Sequence, residues 1–316
     1  MNVMQNEEEE VGFGLQKYPA DDETLSKTVE WLRFPLATAV IFTGVYPGSD
    51  VFGVAAPCIF LLYGFSFFFG IDRWNGNTYA NKIKSRFGAL IVPYLLWNII
   101  AVCADASLAL LKPDESFALR FSELYNRGLW RIFWNVGEWN VGNTDSIGRI
   151  AQGCAPYLAP LCLLRDLIVM VILSPLIYRA VRFGGMCFAA LAGALYYTKA
   201  GFGAEQFTTA LFFFSLGAQF GISGKNPVVA LRRGRFYWML AAIVCLPLST
   251  YLDGSKAKDY VFPLFALSGA ITAINLTAFF IERGALKAVS TLSKASFFVY
   301  AAHGVLILSL TSRLFD

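Results

Sequence analysis

The sequence is poor in charge and nearly bare of histidine. Asp, Glu, Lys and Arg make up 15% of its 316 residues, and His303 is the one histidine. Soluble domains carry roughly a quarter charged residues, so too few groups remain here to keep a globular surface wet. A single histidine excludes His-rich metal centres. The six cysteines, Cys58, Cys103, Cys154, Cys162, Cys187 and Cys245, form no CxxC pair and no Cys/His spacing. They read as small apolar packing residues, and no metal site is expected. No GxxxxGK[ST] loop, HExxH pair or GxSxG elbow occurs, which removes three common catalytic chemistries. GFGAEQ at 201–206 follows no strand and is a glycine-rich turn rather than a dinucleotide fingerprint. The net charge of +4 is spread over short loops, so no nucleic-acid partner is expected. The N-terminal MNVMQNEEEEVGFG is acidic and lacks the basic and apolar regions of a signal peptide. Residues 1–27 read as a polar tail, and the first apolar helix serves as the insertion signal.

What is present is apolar surface: 56% hydrophobic and 16% aromatic residues, gathered in blocks near twenty long. A bilayer core of about 30 Å asks that length of a helix. The expected fold class is therefore all-α, a polytopic transmembrane helix bundle with 9–10 membrane helices and one interfacial amphipathic helix. Nine spans are placed at about 28–46, 51–70, 87–111, 156–179, 184–199, 204–222, 235–252, 260–282 and 293–312; a tenth would move the C-terminus to the other side. Between the third and fourth, ESFALRFSELYNRGLWRIFW spaces apolar residues three and four apart around Arg120, Arg127 and Arg131, as an interfacial helix does. NVGEWNVGNTDSIGRIAQGCAP then reads as an ordered loop, and loops this long are often functional. Lys and Arg are more frequent in the 2–3, 4–5, 6–7 and 8–9 loops than in the opposite ones, which predicts a cytoplasmic N-terminus. No internal repeat and no matched pair of broken helices is visible, which many secondary transporters have.

Ionisable residues are costly inside a membrane and so are candidate functional groups. Arg33 lies at the start of the first span. Arg165 and Asp166, in LCLLRDLIVM, fall in the fourth, and His303, in FFVYAAHGVLIL, falls at similar depth in the ninth. Structural readings stand beside the functional ones. Arg33 can snorkel to the headgroups, Arg165–Asp166 can lock two helices as an ion pair, and His303 can bond a neighbouring helix. His303 is also the side chain suited to proton transfer near neutral pH. Tyr300, one turn earlier on the same face, can orient its imidazole.

Six segments, in order over about 28–312, together resemble the membrane-bound acyltransferase family 3, the O-acetyltransferases of cell-surface sugars. They are WLRFPLATAVIF, AAPCIFLLYGFSFFF, NKIKSRFGALIVPYLLWN, APLCLLRDLIVMVILSPLIY, FFFSLGAQFG and ASFFVYAAHGVLIL. The resemblance implies one integral-membrane domain over 28–316 in the bacterial cytoplasmic membrane. It implies acetyl-CoA or another acyl-CoA as donor from the cytoplasm, no resident cofactor, and a sugar or polysaccharide hydroxyl as acceptor at the outer face. It assigns Arg33, Lys84 and Arg86 to the donor phosphates and Tyr63, Tyr94, Trp97 and Tyr300 to the acceptor and pore lining. The family places an arginine in the first helix and a histidine general base eleven positions later, three turns or about 16 Å along one face. Arg33 fits the arginine, but Gly44 stands where the histidine belongs. Tyr63 replaces a serine and Cys162 a tryptophan, while Arg165 and Asp166 remain. These departures imply an altered active site, with His303 as base and Arg165 stabilising the oxyanion. Two other readings stay open: a catalytically silent relative that binds donor or glycan, and a solute transporter or flippase.

Overall fold

A computed structural model of the chain describes residues 20–45, 50–71, 74–111, 122, 125–126, 128–134, 156–158, 161–198, 205–287 and 289–303. Among the described residues the regular structure is helical, without strands. The helices are α1 (Ala20–Val45), α2 (Ala55–Phe68), α3 (Gly76–Arg86), α4 (Val92–Leu111), α5 (Arg131–Trp134) and α6 (Cys162–Ile172). They continue as α7 (Ser174–Thr198), α8 (Glu205–Ile222), α9 (Pro227–Arg232), α10 (Arg235–Tyr251), α11 (Lys258–Glu282) and α12 (Ser290–His303). Among the described residues, helix lies in all or part of each of the nine places expected for a span, the ninth only as far as His303, since 304–312 lie outside the described residues. Among the described residues, four helices are long and apolar enough to cross a membrane: Asp50–Phe68, Gly76–Ala104, Ser174–Thr198 and Lys258–Glu282. Gly44 lies in the last turn of α1.

Local chemistry sets the boundaries. Asn75 caps α3 by accepting the Thr78 N–H at 2.8 Å, and Asn226 caps α9 just before Pro227. α1 starts at Ala20, eight residues before the expected span, and its exposed first turns carry a Glu23–Lys27 pair at 2.7 Å. α3 joins α4 through a π turn at Phe87–Ile91, with the Val92 N–H on Phe87 O. Pro93 supplies no N–H, so the regular ladder cannot continue there. α7 breaks at Gly185, whose φ of +50° is outside what other residues adopt at low cost. This single residue, rather than a loop at 180–183, separates the expected fourth and fifth spans. The first half of the expected interfacial helix lies largely outside the described residues, and the loop at 135–155 wholly so.

α2 and α8 form the tightest helix pair, and glycine makes their approach possible. A Cβ on Gly64 would lie 2.2 Å from Phe214 O, one on Gly217 2.0 Å from Leu61 O, and one on Gly221 2.7 Å from Phe65 O. Gly217 and Gly221 form the small-xxx-small spacing that lets helix backbones touch where apolar burial gives no drive to associate. Beside this pair Phe68 packs 5.2 Å from Trp74, which stacks 5.2 Å from Tyr178, tying α2 to α7. The remaining helices ring this centre, and their outward faces are apolar, as at Phe183, Leu191, Ile243 and Val244.

Polar contacts mark the two ends. At one, Asp50 accepts from Lys258 Nζ at 2.9 Å and from Ser249 Oγ, and Lys258 also meets Asp253 at 2.8 Å. This joins the lead-in to α2 with α10 and α11. At the other, Arg232 pairs with Glu282, and the Tyr79 hydroxyl donates to Ile172 O at 3.1 Å. Arg33 Nη1 donates to Ser293 Oγ at 3.5 Å, joining α1 to α12. The basic loops counted above all fall at this second end.

Candidate functional site

Two groups of polar side chains, one partly exposed and one buried, are joined by α12. The first gathers near the basic end, where α2, α3 and α1 meet. Arg86 closes α3 and places its guanidinium 5.2 Å from the centre of the Tyr63 ring. Arg33 and Arg86 both act electrostatically on the Tyr63 hydroxyl, which is buried and has no hydrogen-bond partner of ordinary geometry among the described residues. Lys82, one turn before Arg86, adds a third positive charge. Three cations at one mouth make a cradle for phosphate oxygens. Lys84, expected in this role, is exposed on the opposite face of α3, because residues four apart share a helix face and residues two apart do not.

The second group lies deeper. Asn98 lies on α4, eleven residues or about 16 Å along from Phe87. Asn98 is fully buried; its Nδ2 donates to Tyr94 O at 2.8 Å and its Oδ1 accepts the Leu158 N–H at 3.0 Å. The Tyr94 hydroxyl donates to Phe133 O. Tyr157 N donates to Ile132 O at 2.8 Å, and Arg165 Nη1 donates to Trp134 O at 3.3 Å. Three consecutive carbonyls of α5 are thus spent on this site. The Arg131–Trp134 turn, read from its sequence as part of an interfacial helix, is tied to α4 through Tyr94 and to α6 through Arg165, while Asn98 holds the Leu158 N–H.

α6 therefore starts inside the bundle rather than at its edge. Arg165 Nε and Nη2 donate to Asp166 Oδ1 at 3.0 and 2.8 Å. The guanidinium lies 5.6 Å from the centre of the Trp134 ring. Among the described residues these bonds use three of the five guanidinium N–H groups. Asp166 Oδ2 is buried and has no partner among the described residues. Tyr300 approaches from α12, within electrostatic reach of Tyr94, Cys162 and Asp166.

One turn further along α12, His303 is 5% exposed, and its Nδ1 meets Tyr300 O. A carbonyl oxygen can only accept, so Nδ1 carries the proton and Nε2 keeps its lone pair. Tyr300 does orient the imidazole, but through its backbone carbonyl. Its ring lies 5.7 Å from the imidazole. Trp97 stands apart, its ring edge-on to Phe298 at 5.7 Å, where it packs α4 against α12.

The structure thus brings together Arg33, Tyr63 and Arg86 at the mouth, and Tyr94, Arg165, Asp166 and Tyr300 inside, with His303 held by Tyr300. Sequence reasoning missed Lys82, Asn98, Trp134 and the α5 carbonyls. The polar Asn98 in an apolar span was a usable signal; the carbonyls had none. Among the described residues no group of His, Cys, Asp and Glu is placed to hold a metal ion. An imidazole, a guanidinium held by a carboxylate and a cluster of cations at one end are groups that acyl-transfer chemistry can use.

A family model described as an acyltransferase domain matches residues 27–316. No curated protein and no solved structure matches the chain. Matched over nearly its whole length, this membrane helix bundle belongs to the membrane-bound acyltransferase family 3.

Proposed function

We propose that the protein moves an acyl group from acyl-CoA to a hydroxyl of a cell-surface or exopolysaccharide sugar, with its N-terminus and basic end in the cytoplasm. The observation that carries this reading is the one-helix link between a cationic mouth and a proton acceptor. α12 bears Ser293 beside Arg33 and, ten residues or about 15 Å further on, His303 with Nε2 available. The phosphates of CoA sit at Arg33, Lys82 and Arg86, and its flexible arm carries the thioester inward. His303 Nε2 takes the proton of the sugar hydroxyl as the hydroxyl oxygen attacks the thioester carbonyl. The developing oxyanion is met by the Arg165 guanidinium, which Asp166 and Trp134 O hold in place. Collapse expels the CoA thiolate, which recovers the proton from the imidazolium. The products are a sugar ester and free CoA.

The test is transfer of radiolabelled acetate from acetyl-CoA to a crude surface-glycan fraction by the protein in liposomes. Label enters the glycan with wild type, and Arg86→Ala raises KM for acetyl-CoA about tenfold with kcat little changed. No labelled acceptor, or an Arg86→Ala variant with unchanged KM, contradicts this reading.

A further inference from the structure

Arginine gathers a second time at the basic end, on two helices that supply none of the mouth's cations. α10 and α11 are joined by a short turn and pack along each other in opposite directions. The first residue of α10, Arg235, therefore meets the last turn of α11. There Arg235 and Arg283 approach one ring: their guanidinium carbons lie 5.4 and 4.1 Å from the centre of Phe279. An aromatic face attracts a cation, yet two like charges drawn to one ring repel each other. No acid relieves that repulsion. Glu282 is the one acidic residue in the stretches 224–239 and 281–294, and it is bonded to Arg232. Among the described residues neither Arg235 nor Arg283 has a carboxylate or carbonyl partner, and both are exposed. Two guanidinium groups held on one ring without a counter-charge suit an anion, and their planar forks match phosphate oxygens two at a time.

What lies beside the pair is apolar and faces outward. Leu276, Phe280 and Arg283 are four and three residues apart on α11, so they share one face, and both apolar side chains are exposed. On α10, Phe236, Leu240 and Ile243 repeat that spacing and are exposed too. α10 packs chiefly against α11, so its other side borders lipid. Tyr237, exposed at the head of α10, is an aromatic of the kind that sits at headgroup level. A soluble phosphate ester needs none of these apolar neighbours, whereas a lipid uses them all. We propose that Arg235 and Arg283 hold the phosphate of an anionic phospholipid whose acyl chains run along the outward faces of α10 and α11. Such lipids give the cytoplasmic leaflet its negative surface, which is the side assigned above to the basic end. The bound lipid is neither donor nor acceptor, and its binding is separate from acyl transfer.

The test is native mass spectrometry of the full-length protein in detergent, titrated with phosphatidylglycerol, with zwitterionic phosphatidylcholine and with inorganic phosphate. Wild type retains one phosphatidylglycerol at concentrations where it retains neither of the others. Arg235→Gln with Arg283→Gln weakens that binding about 25-fold, about fivefold for each cation removed. Arg233→Gln, an exposed cation on the same connection, changes it less than about twofold, since it lies off the clamp. An unchanged Tm without lipid confirms that the double variant folds; added phosphatidylglycerol then raises Tm for wild type and not for the variant. Arg235→Lys with Arg283→Lys keeps the charge but loses the fork, and it too binds more weakly than wild type. Equal binding by wild type and both double variants, or an equal loss from Arg233→Gln, overturns the site. Inorganic phosphate bound as tightly as the lipid, and lost with the same two arginines, overturns the lipid and makes a free phosphate the ligand.

Discussion

Replacing Gly217 by alanine adds one methyl group where two helices already touch. The new Cβ would lie 2.0 Å from Leu61 O and 2.7 Å from Phe65 N, and both obstacles are backbone of α2. Ordinary contact needs about 3.5 Å, so α2 and α8 must separate by about 1.5 Å. Neither helix can yield by rotating a side chain. Overpacking of this kind costs about 1–3 kcal/mol, and rigid obstacles put the cost at the upper end. The better helix propensity of alanine returns at most about 1 kcal/mol. The net loss is about 2 kcal/mol, which for a chain of this size lowers Tm by about 4 °C. Thermal unfolding in detergent, followed by loss of the monodisperse peak, reads this shift. Gly88→Ala is the control, since no atom lies within 4 Å of a Cβ there; its Tm stays level or rises slightly. A Gly217→Ala protein as stable as wild type would refute the view that glycine sets the α2–α8 distance.

Three other outcomes follow from the same geometry. Asn98→Leu removes the acceptor for the Leu158 N–H and the donor to Tyr94 O; stability falls by about 1–3 kcal/mol, measured by the same unfolding assay. Asp50→Asn breaks the ion pair with Lys258, which is 22% exposed on the lysine side; the cost is about 1–2 kcal/mol, and Lys258→Met in the same chain recovers part of it in a double-mutant cycle. If His303 works as a neutral base, acyl transfer falls as the solution is made acidic, because protonation of Nε2 removes the lone pair. Initial rates between about pH 5 and 8 show that acid limb.

Much of the bundle was legible because bilayer crossing leaves a coarse signal. A block of about twenty apolar residues is visible whatever its neighbours are, and the described part of each block carries helix. Arg165, Asp166 and His303, polar residues within apolar blocks, are buried as such a position suggests. Relations between distant segments could not. GAQFG at 217–221 looked like part of a short apolar helix, but its function in packing depends on Leu61 and Phe65 some 150 residues away. The Arg131–Trp134 turn has the amphipathic spacing of an interfacial helix, yet its carbonyls are drawn inward by Tyr94 and Arg165. Tyr300 was read as orienting His303, and it does so through an atom every residue possesses. Lys84 and Lys82 are equally basic in sequence; the phase of α3 relative to Arg86 distinguishes them.

The central claim is that His303 supplies the base that Gly44 cannot. Its most direct test compares wild type with His303→Ala for transfer of labelled acetate from acetyl-CoA to surface glycan, at saturating donor and equal folded protein. The account predicts a fall in kcat of about 10²–10⁴-fold with acetyl-CoA still bound at the Arg33–Arg86 mouth. Transfer by His303→Ala at the wild-type rate would contradict it.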